Sequence, residues 1–142
     1  MQSISRVGIA LVVLASLQGC GRDSSAGLQQ VHGHITFNGR PTAHAQVTFH
    51  PVNASARGGV RPVGTVDEQG NFTLTSLTQG DGVPPGDYRV TVVWYLARLA
   101  RPGSDETVSA NYLPTKYASV ETSDLAVTVK PGETELKPFN LK

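Results

Sequence analysis

Two residue types in this chain stand where their spacing could do chemistry. One is cysteine: Cys20 is the single cysteine in 142 residues. A lone thiol in an exported chain is either a modification site or a free sulfur able to pair with another molecule. The other is histidine. In an alternating strand His32 and His34 share one face, and His50 takes the matching face of the next strand. Neighbouring antiparallel strands would bring two or three imidazoles within cross-strand reach, an arrangement able to chelate Zn²⁺ or Cu²⁺. The competing reading is that exposed strand positions tolerate any polar side chain. A working site needs a third and usually a fourth ligand held by further hydrogen bonds, whereas the outward neighbours here are Thr36 and Thr48. The expectation is no metal and no cofactor, with His32, His34 and His50 as the candidates should one bind. His44 falls in a turn and belongs to neither account.

Signatures of catalysis are missing. Gly-x-Ser-x-Gly, His-Glu-x-x-His, Gly-x-x-x-x-Gly-Lys and Cys-x-x-Cys do not occur in the sequence, and each marks a mechanism that needs those residues at that spacing. Asp67 with Gly70 and Asn71 falls short of the alternating acidic spacing of a Ca²⁺ loop and reads as a hairpin turn. No enzyme is expected.

The thiol is placed by what precedes it. Cys20 closes Leu17-Gln18-Gly19-Cys20 after an eleven-residue run from Val7 to Leu17, itself preceded by Arg6. A basic start, a short apolar stretch and a small residue before the cut mark a secretory signal. The run is too short for a bilayer, which takes ~20 residues. A small residue followed by a single cysteine resembles the bacterial lipobox, in which the thiol is acylated and becomes the first residue of the mature chain. An ordinary cleaved signal with an unpaired thiol is the alternative. The resemblance implies a diacylglyceryl group and an N-acyl chain on Cys20, and with two or more chains anchoring is stable at ~0.8 kcal/mol per buried CH₂. The partner implied first is therefore the membrane. Gly21 after the cysteine, where Asp would signal inner-membrane retention in enteric bacteria, favours the outer membrane of the bacterial cell envelope.

Residues 1–19 would leave with the signal and take Arg6, so eleven basic residues face eleven acidic ones in the mature chain. A formally neutral chain lacks the basic footprint of a nucleic-acid binder and has no electrostatic hold on anionic lipid. Its one cysteine precludes an intrachain disulfide, so the fold must stand on a hydrophobic core. Residues 20–30 read as the acylated cysteine and a flexible tether rich in Ser and Gly, with an r.m.s. reach of roughly 15–20 Å for ten residues. Residues 31–142 read as one domain.

From Val31 onward apolar residues recur with period two, the mark of half-buried strands. Val31, Gly33, Ile35 and Phe37 form one inward row; Ala45, Val47 and Phe49 form the next. Asn38-Gly39-Arg40-Pro41 is a turn in which Asn and Gly accept positive φ, and Pro51 ends the second strand because it cannot donate to a ladder. Strands are also expected at Val63–Val66, at Asn71–Thr75 with Phe72 and Leu74 inward, at Leu125–Val129, and at Leu136–Leu141. Tyr88, Val90, Val92 and Trp94 make the inward row of the most apolar strand, which Val93 and Tyr95 extend, so it belongs in the middle of a sheet. The total is seven strands and no amphipathic helix beyond one turn near Pro114–Tyr117. Short strands at this spacing with Gly and Pro between them mean an all-β antiparallel sandwich.

The motifs carry a resemblance. Val31-His-Gly-His-Ile-Thr-Phe-Asn-Gly-Arg-Pro41 followed by Ala45-Gln-Val-Thr-Phe-His-Pro51 resembles the opening of carboxypeptidase regulatory-like domains. Thr65-Val-Asp-Glu-Gln-Gly-Asn-Phe72 is similar to their Thr-x-Asp-x-x-Gly-x-Phe hairpin, and Pro84-Pro-Gly-Asp-Tyr-Arg-Val-Thr-Val92 to their Pro-x-Gly-x-Tyr-x-Val-x-Val strand. The end of the chain, from Leu113 to Lys142, resembles small bacterial lipoproteins with this domain. The likeness covers residues 31–142 and implies a seven-stranded transthyretin-like (prealbumin-like) sandwich. Each motif is a turn or a core position, so the resemblance speaks to fold rather than to activity.

Leu96–Ala118 is the longest stretch without an expected strand. It sets Arg98 and Arg101 against Asp105 and Glu106 and carries Tyr112 and Tyr117, which read as exposed. Long loops in compact domains often bind, so Arg98, Arg101, Tyr112 and Tyr117 form the candidate contact surface; the bland alternative is a loop that caps one open end. The function expected is a non-catalytic, membrane-tethered module for envelope structure or for contact with an envelope protein or polysaccharide. The alternative is a metal or small-ligand carrier using the His32/His34/His50 face.

Overall fold

The inward rows read from the sequence are buried. Val31, Ile35, Ala45, Val47, Phe49, Leu74, Val90 and Val92 have no exposed surface, and Phe72 and Tyr88 have almost none. The computed structural model describes residues 27–53 and 59–142. The signal segment 1–19, Cys20 and most of the tether lie outside the described residues. The strands are β1 (His32–Phe37), β2 (Arg40–Pro41), β3 (Gln46–Pro51), β4 (Val63–Thr65), β5 (Asn71–Thr73), β6 (Gly86–Val93), β7 (Tyr95–Leu99), β8 (Thr107–Asn111), β9 (Ala126–Val129) and β10 (Phe139–Leu141). One 3-10 turn, Thr115–Ala118, is the sole helical element among the described residues. The fold is all-β.

The strands form two sheets and a separate ribbon. One sheet runs β10-β1-β2, with β5 sharing the β2 edge of β1; the other runs β4-β3-β6-β9; β7 pairs with β8. The β1–β2 turn is a two-residue loop in which both Asn38 and Gly39 have positive φ, the geometry whose twist suits a tight hairpin. The two sheets meet through aromatic rings. Phe49 of β3 lies 6.4 Å edge-on to Phe72 of β5 and 6.4 Å from Phe139 of β10, while Phe72 stacks on Phe139 at 6.3 Å. Gly33 is small for a reason: a Cβ there would lie 2.3 Å from the Phe72 ring opposite it.

All seven expected runs are strands, but three expectations need correcting. The count is ten among the described residues, since β2, β7 and β8 join the seven. The sheets are not wholly antiparallel: β10 lies parallel to β1, pairing Ile35 with Phe139 and Phe37 with Leu141. The physical reason is the crossing after β9. β9 runs opposite to β6 and ends beside Gly86; the chain turns at Lys130–Glu133 and starts β10 from the end where β1 also starts. Finally, Tyr95 does not extend β6. The ladder breaks at Trp94, whose N–H donates to the Asn111 side chain at 2.9 Å, and Tyr95 opens the ribbon that occupies the supposed loop 96–118.

Candidate functional site

The three histidines do not share a face. His32 and His34 lie on β1, which pairs with β10, β2 and β5, whereas His50 lies on β3, which pairs with β4 and β6. The chain changes sheets at Thr42–Ala45, where His44 adopts φ 66°. Outward residues of β1 and β3 therefore point from opposite sides of the molecule, and the expected cross-strand cluster is dissolved by topology. Among the described residues no three metal-ligating side chains converge.

Each imidazole has a local partner instead. His32 Nδ1 lies 2.9 Å from Thr73 Oγ1, His34 Nε2 lies 3.1 Å from the Gln69 carbonyl, and His50 Nε2 lies 2.9 Å from Thr91 Oγ1. Burial pushes the His50 pKa below its ordinary value, the Arg61 guanidinium adds to this, and Glu121 opposes it. These are imidazole–hydroxyl and imidazole–carbonyl pairs able to bind through hydrogen bonds. Nucleophilic catalysis would need a third group orienting the base.

His32 and His34 do line a half-open groove of about 810 Å³ across β1, β5 and β4, floored by Gly33, Gly64 and Phe72. Its walls carry Thr65, Thr73, Asp67 and Glu135 and, among the described residues, neither lysine nor arginine. Asp67 is largely occupied by its own turn. One carboxylate oxygen accepts the N–H groups of Asn71 at 2.8 Å and Gln69 at 2.9 Å, and the bond from Asn71 does most to hold its pKa below the ordinary value.

The second candidate is the ribbon. β7 and β8 pair from Tyr95–Asn111 to Leu99–Thr107 and with no other strand among the described residues. Tyr95 is 61% exposed and Tyr112 60% exposed. Trp94 is half-buried: its indole N–H donates to the Ala43 carbonyl at 2.8 Å, and its ring meets Tyr112 edge-on at 5.7 Å. Arg98 and Arg101 are exposed on the same ribbon and its turn. Tyr117 is not part of this surface. It is 3% exposed, packs in the core, and its hydroxyl donates to the Lys142 carbonyl at 3.2 Å. Tyr95 is the exposed aromatic residue of this ribbon that the sequence reading missed, because apolar neighbours on both sides made it look like strand interior.

No family model matches the chain, and no curated protein matches it. Among solved structures, a 9R-lipoxygenase from Cyanothece PCC8801 is similar with a TM-score of 0.42 and 9% identity, covering 98% of this chain and 18% of that one. The chain thus spans under a fifth of that enzyme's length, and the likeness is too loose to bear on fold family or chemistry.

Proposed function

We propose that this chain is a lipid-anchored, non-catalytic β-sandwich of the transthyretin-like, carboxypeptidase regulatory-like kind, which holds an interaction surface in the bacterial envelope. Cys20 is the acylated residue, and the β7–β8 ribbon with Tyr95, Tyr112 and Arg98 is the surface that meets an envelope protein or polysaccharide. The observation that carries this is a two-stranded ribbon displaying two tyrosines outside both sheets. Such ribbons are marginal alone in water, while tyrosine and arginine are enriched where proteins touch partners. In support of the fold family, the tyrosine of the Pro-x-Gly-x-Tyr motif ties its strand to the preceding loop. The Tyr88 hydroxyl donates to the Pro84 carbonyl at 2.7 Å, the kind of link seen in the tyrosine corner of sandwiches.

The test is photo-crosslinking in intact cells. A benzophenone amino acid at position 95 or 112 should give discrete adducts to an envelope component, and one at the exposed Ala126 of β9 should not. Adducts equally strong from position 126 would defeat the ribbon assignment. Separately, Cys20→Ser should move the chain from the membrane pellet to the soluble fraction.

A second reading is favoured by the groove. With two carboxylates, two imidazoles and, among the described residues, no lysine or arginine in its lining, it suits a neutral or cationic hydroxyl-bearing small ligand. Calorimetric titration with neutral oligosaccharides and with Zn²⁺, repeated on His32→Gln, checks it.

A further inference from the structure

The point at which the chain enters the domain is fixed by five hydrogen bonds. Gln29 N–H donates to the Val83 carbonyl at 3.1 Å, and Val83 N–H donates back at 2.9 Å. The Gln29 side-chain amide donates to the carbonyls of Lys130 at 2.7 Å and Glu133 at 2.8 Å, and its oxygen accepts the Gly132 N–H at 2.8 Å. Eight residues lie between Cys20 and Gln29, so the two cannot be more than ~30–32 Å apart.

Four large apolar side chains are exposed among the described residues, and they divide between the two ends of the molecule. Val52 is 58% exposed and Leu77 53%, and both belong to the Gln29 end. Val52 N–H donates to the Asp87 carbonyl, beside the start of β6. Leu77 lies in a loop closed by Asp81, whose carboxylate accepts the N–H groups of Ser76, Leu77 and Thr78; the Gln30 side chain donates to the Gly80 carbonyl of that loop. Tyr95 and Tyr112 sit beyond the other end of β6, an eight-residue strand that spans ~25 Å at ~3.3 Å per residue.

We infer that the Val52–Leu77 end is a lipid-facing surface, resting on the bilayer that holds Cys20, with the ribbon presented away from it. This rests on the anchor reading above. Two aliphatic side chains would not hold a free protein to a membrane, but attachment raises the local concentration to the order of millimolar, where a weak contact is populated. The contact is aliphatic rather than ionic. Among the described residues the same end carries Lys130 and Arg61 together with Asp81, Asp87 and Glu133, so these groups give it no net basic charge to attract anionic headgroups.

Trp94, the single tryptophan, is at the far end and serves as the reference in the test. The chain starting at Cys20 is joined through its thiol to a maleimide-bearing lipid in phosphatidylcholine vesicles with brominated acyl chains, which quench tryptophan on contact. That chemistry supplies an anchor whether or not the cell acylates Cys20, so a failure of the anchor reading leaves the measurement intact. Val52→Trp and Leu77→Trp should each add emission that bromine cuts about twofold, as for a side chain at the headgroup–acyl boundary, at low and at high salt alike. Trp94 in the unaltered chain should keep its emission, and in each variant emission matching that of the unaltered chain should survive bromine, which reports that the variant is folded. Quenching at either added tryptophan with Trp94 unaffected supports the inference. Quenching at neither, or quenching of Trp94 in the unaltered chain, overturns it.

Discussion

The Gln29 end and the ribbon end of this domain are built on opposite principles. At the Gln29 end, loops are held by side chains that collect backbone N–H groups. Asp81 accepts three of them, and although burial raises its pKa, those bonds outweigh burial and leave it below the ordinary value. At the ribbon end the order is reversed: backbone pairing is internal to the ribbon, and the ties to the domain are the Trp94 indole, its bond to Ala43 and its contact with Tyr112. One end is fastened; the other is displayed. Segments with few buried contacts are where local opening is cheapest and where binding surfaces are drawn from.

Mutations can break or sharpen this contrast. The largest effect should come from the core that serves both ends. Phe49 is fully buried against Phe72, Tyr88 and Phe139, so Phe49→Ala should cost ~3–5 kcal/mol in urea denaturation, much of the ~5–15 kcal/mol a small domain has. Gly82→Ala strikes the fastened end alone. Gly82 has φ 93°, and a Cβ there would lie 1.9 Å from the Gln29 carbonyl oxygen. The strain should cost about 1–3 kcal/mol and free residues 27–30 for proteolysis while Trp94 emission stays native. Cleavage unchanged from wild type would show that the Gln29 clamp is not what fastens that end.

At the displayed end the numbers shrink. Tyr112→Ala removes the edge-on contact with Trp94 and should cost about 0.5–1.5 kcal/mol. Tyr95→Ser should leave stability within roughly ±0.5 kcal/mol while weakening crosslinking to the partner. A large loss of stability from Tyr95→Ser would mean the ribbon is structural rather than a contact surface. The smallest effect is electrostatic. His50 has a folded pKa below its ordinary 6.5, so the unfolded chain binds the proton more readily. Its contribution is present above pH 6.5 and is lost as pH falls below that value. His50→Gln should therefore reduce the drop in urea midpoint between pH 7.5 and pH 5.5; an unchanged drop would assign it elsewhere.

What was legible in the sequence was parity. A buried face forces apolar residues to every second position, so the rows Val31–Ile35, Ala45–Phe49 and Tyr88–Val92 could be read without knowing their partners. Which sheet each row joins was not legible. Alternation in β1 and β3 is the same whether they are neighbours or lie in facing sheets, and the deciding event is a sheet change near His44, a non-glycine residue with positive φ. That one crossing separated His50 from His32 and His34. The ribbon was invisible for the complementary reason: most of its side chains are exposed or half-buried, so nothing compelled alternation. Tyr117 was misjudged because a loop residue is buried by what packs over it, and no local pattern records that.

The direction of the strands has a mechanical consequence. A pull between Gln29 and anything gripping the ribbon would run along β1, β3 and β6, nearly at right angles to the inter-strand hydrogen bonds. Bonds so oriented share a load all at once and resist sliding, whereas a pull across the strands would unzip them in turn. Held at one tip and tugged at the other, the domain is arranged to transmit tension rather than to yield to it.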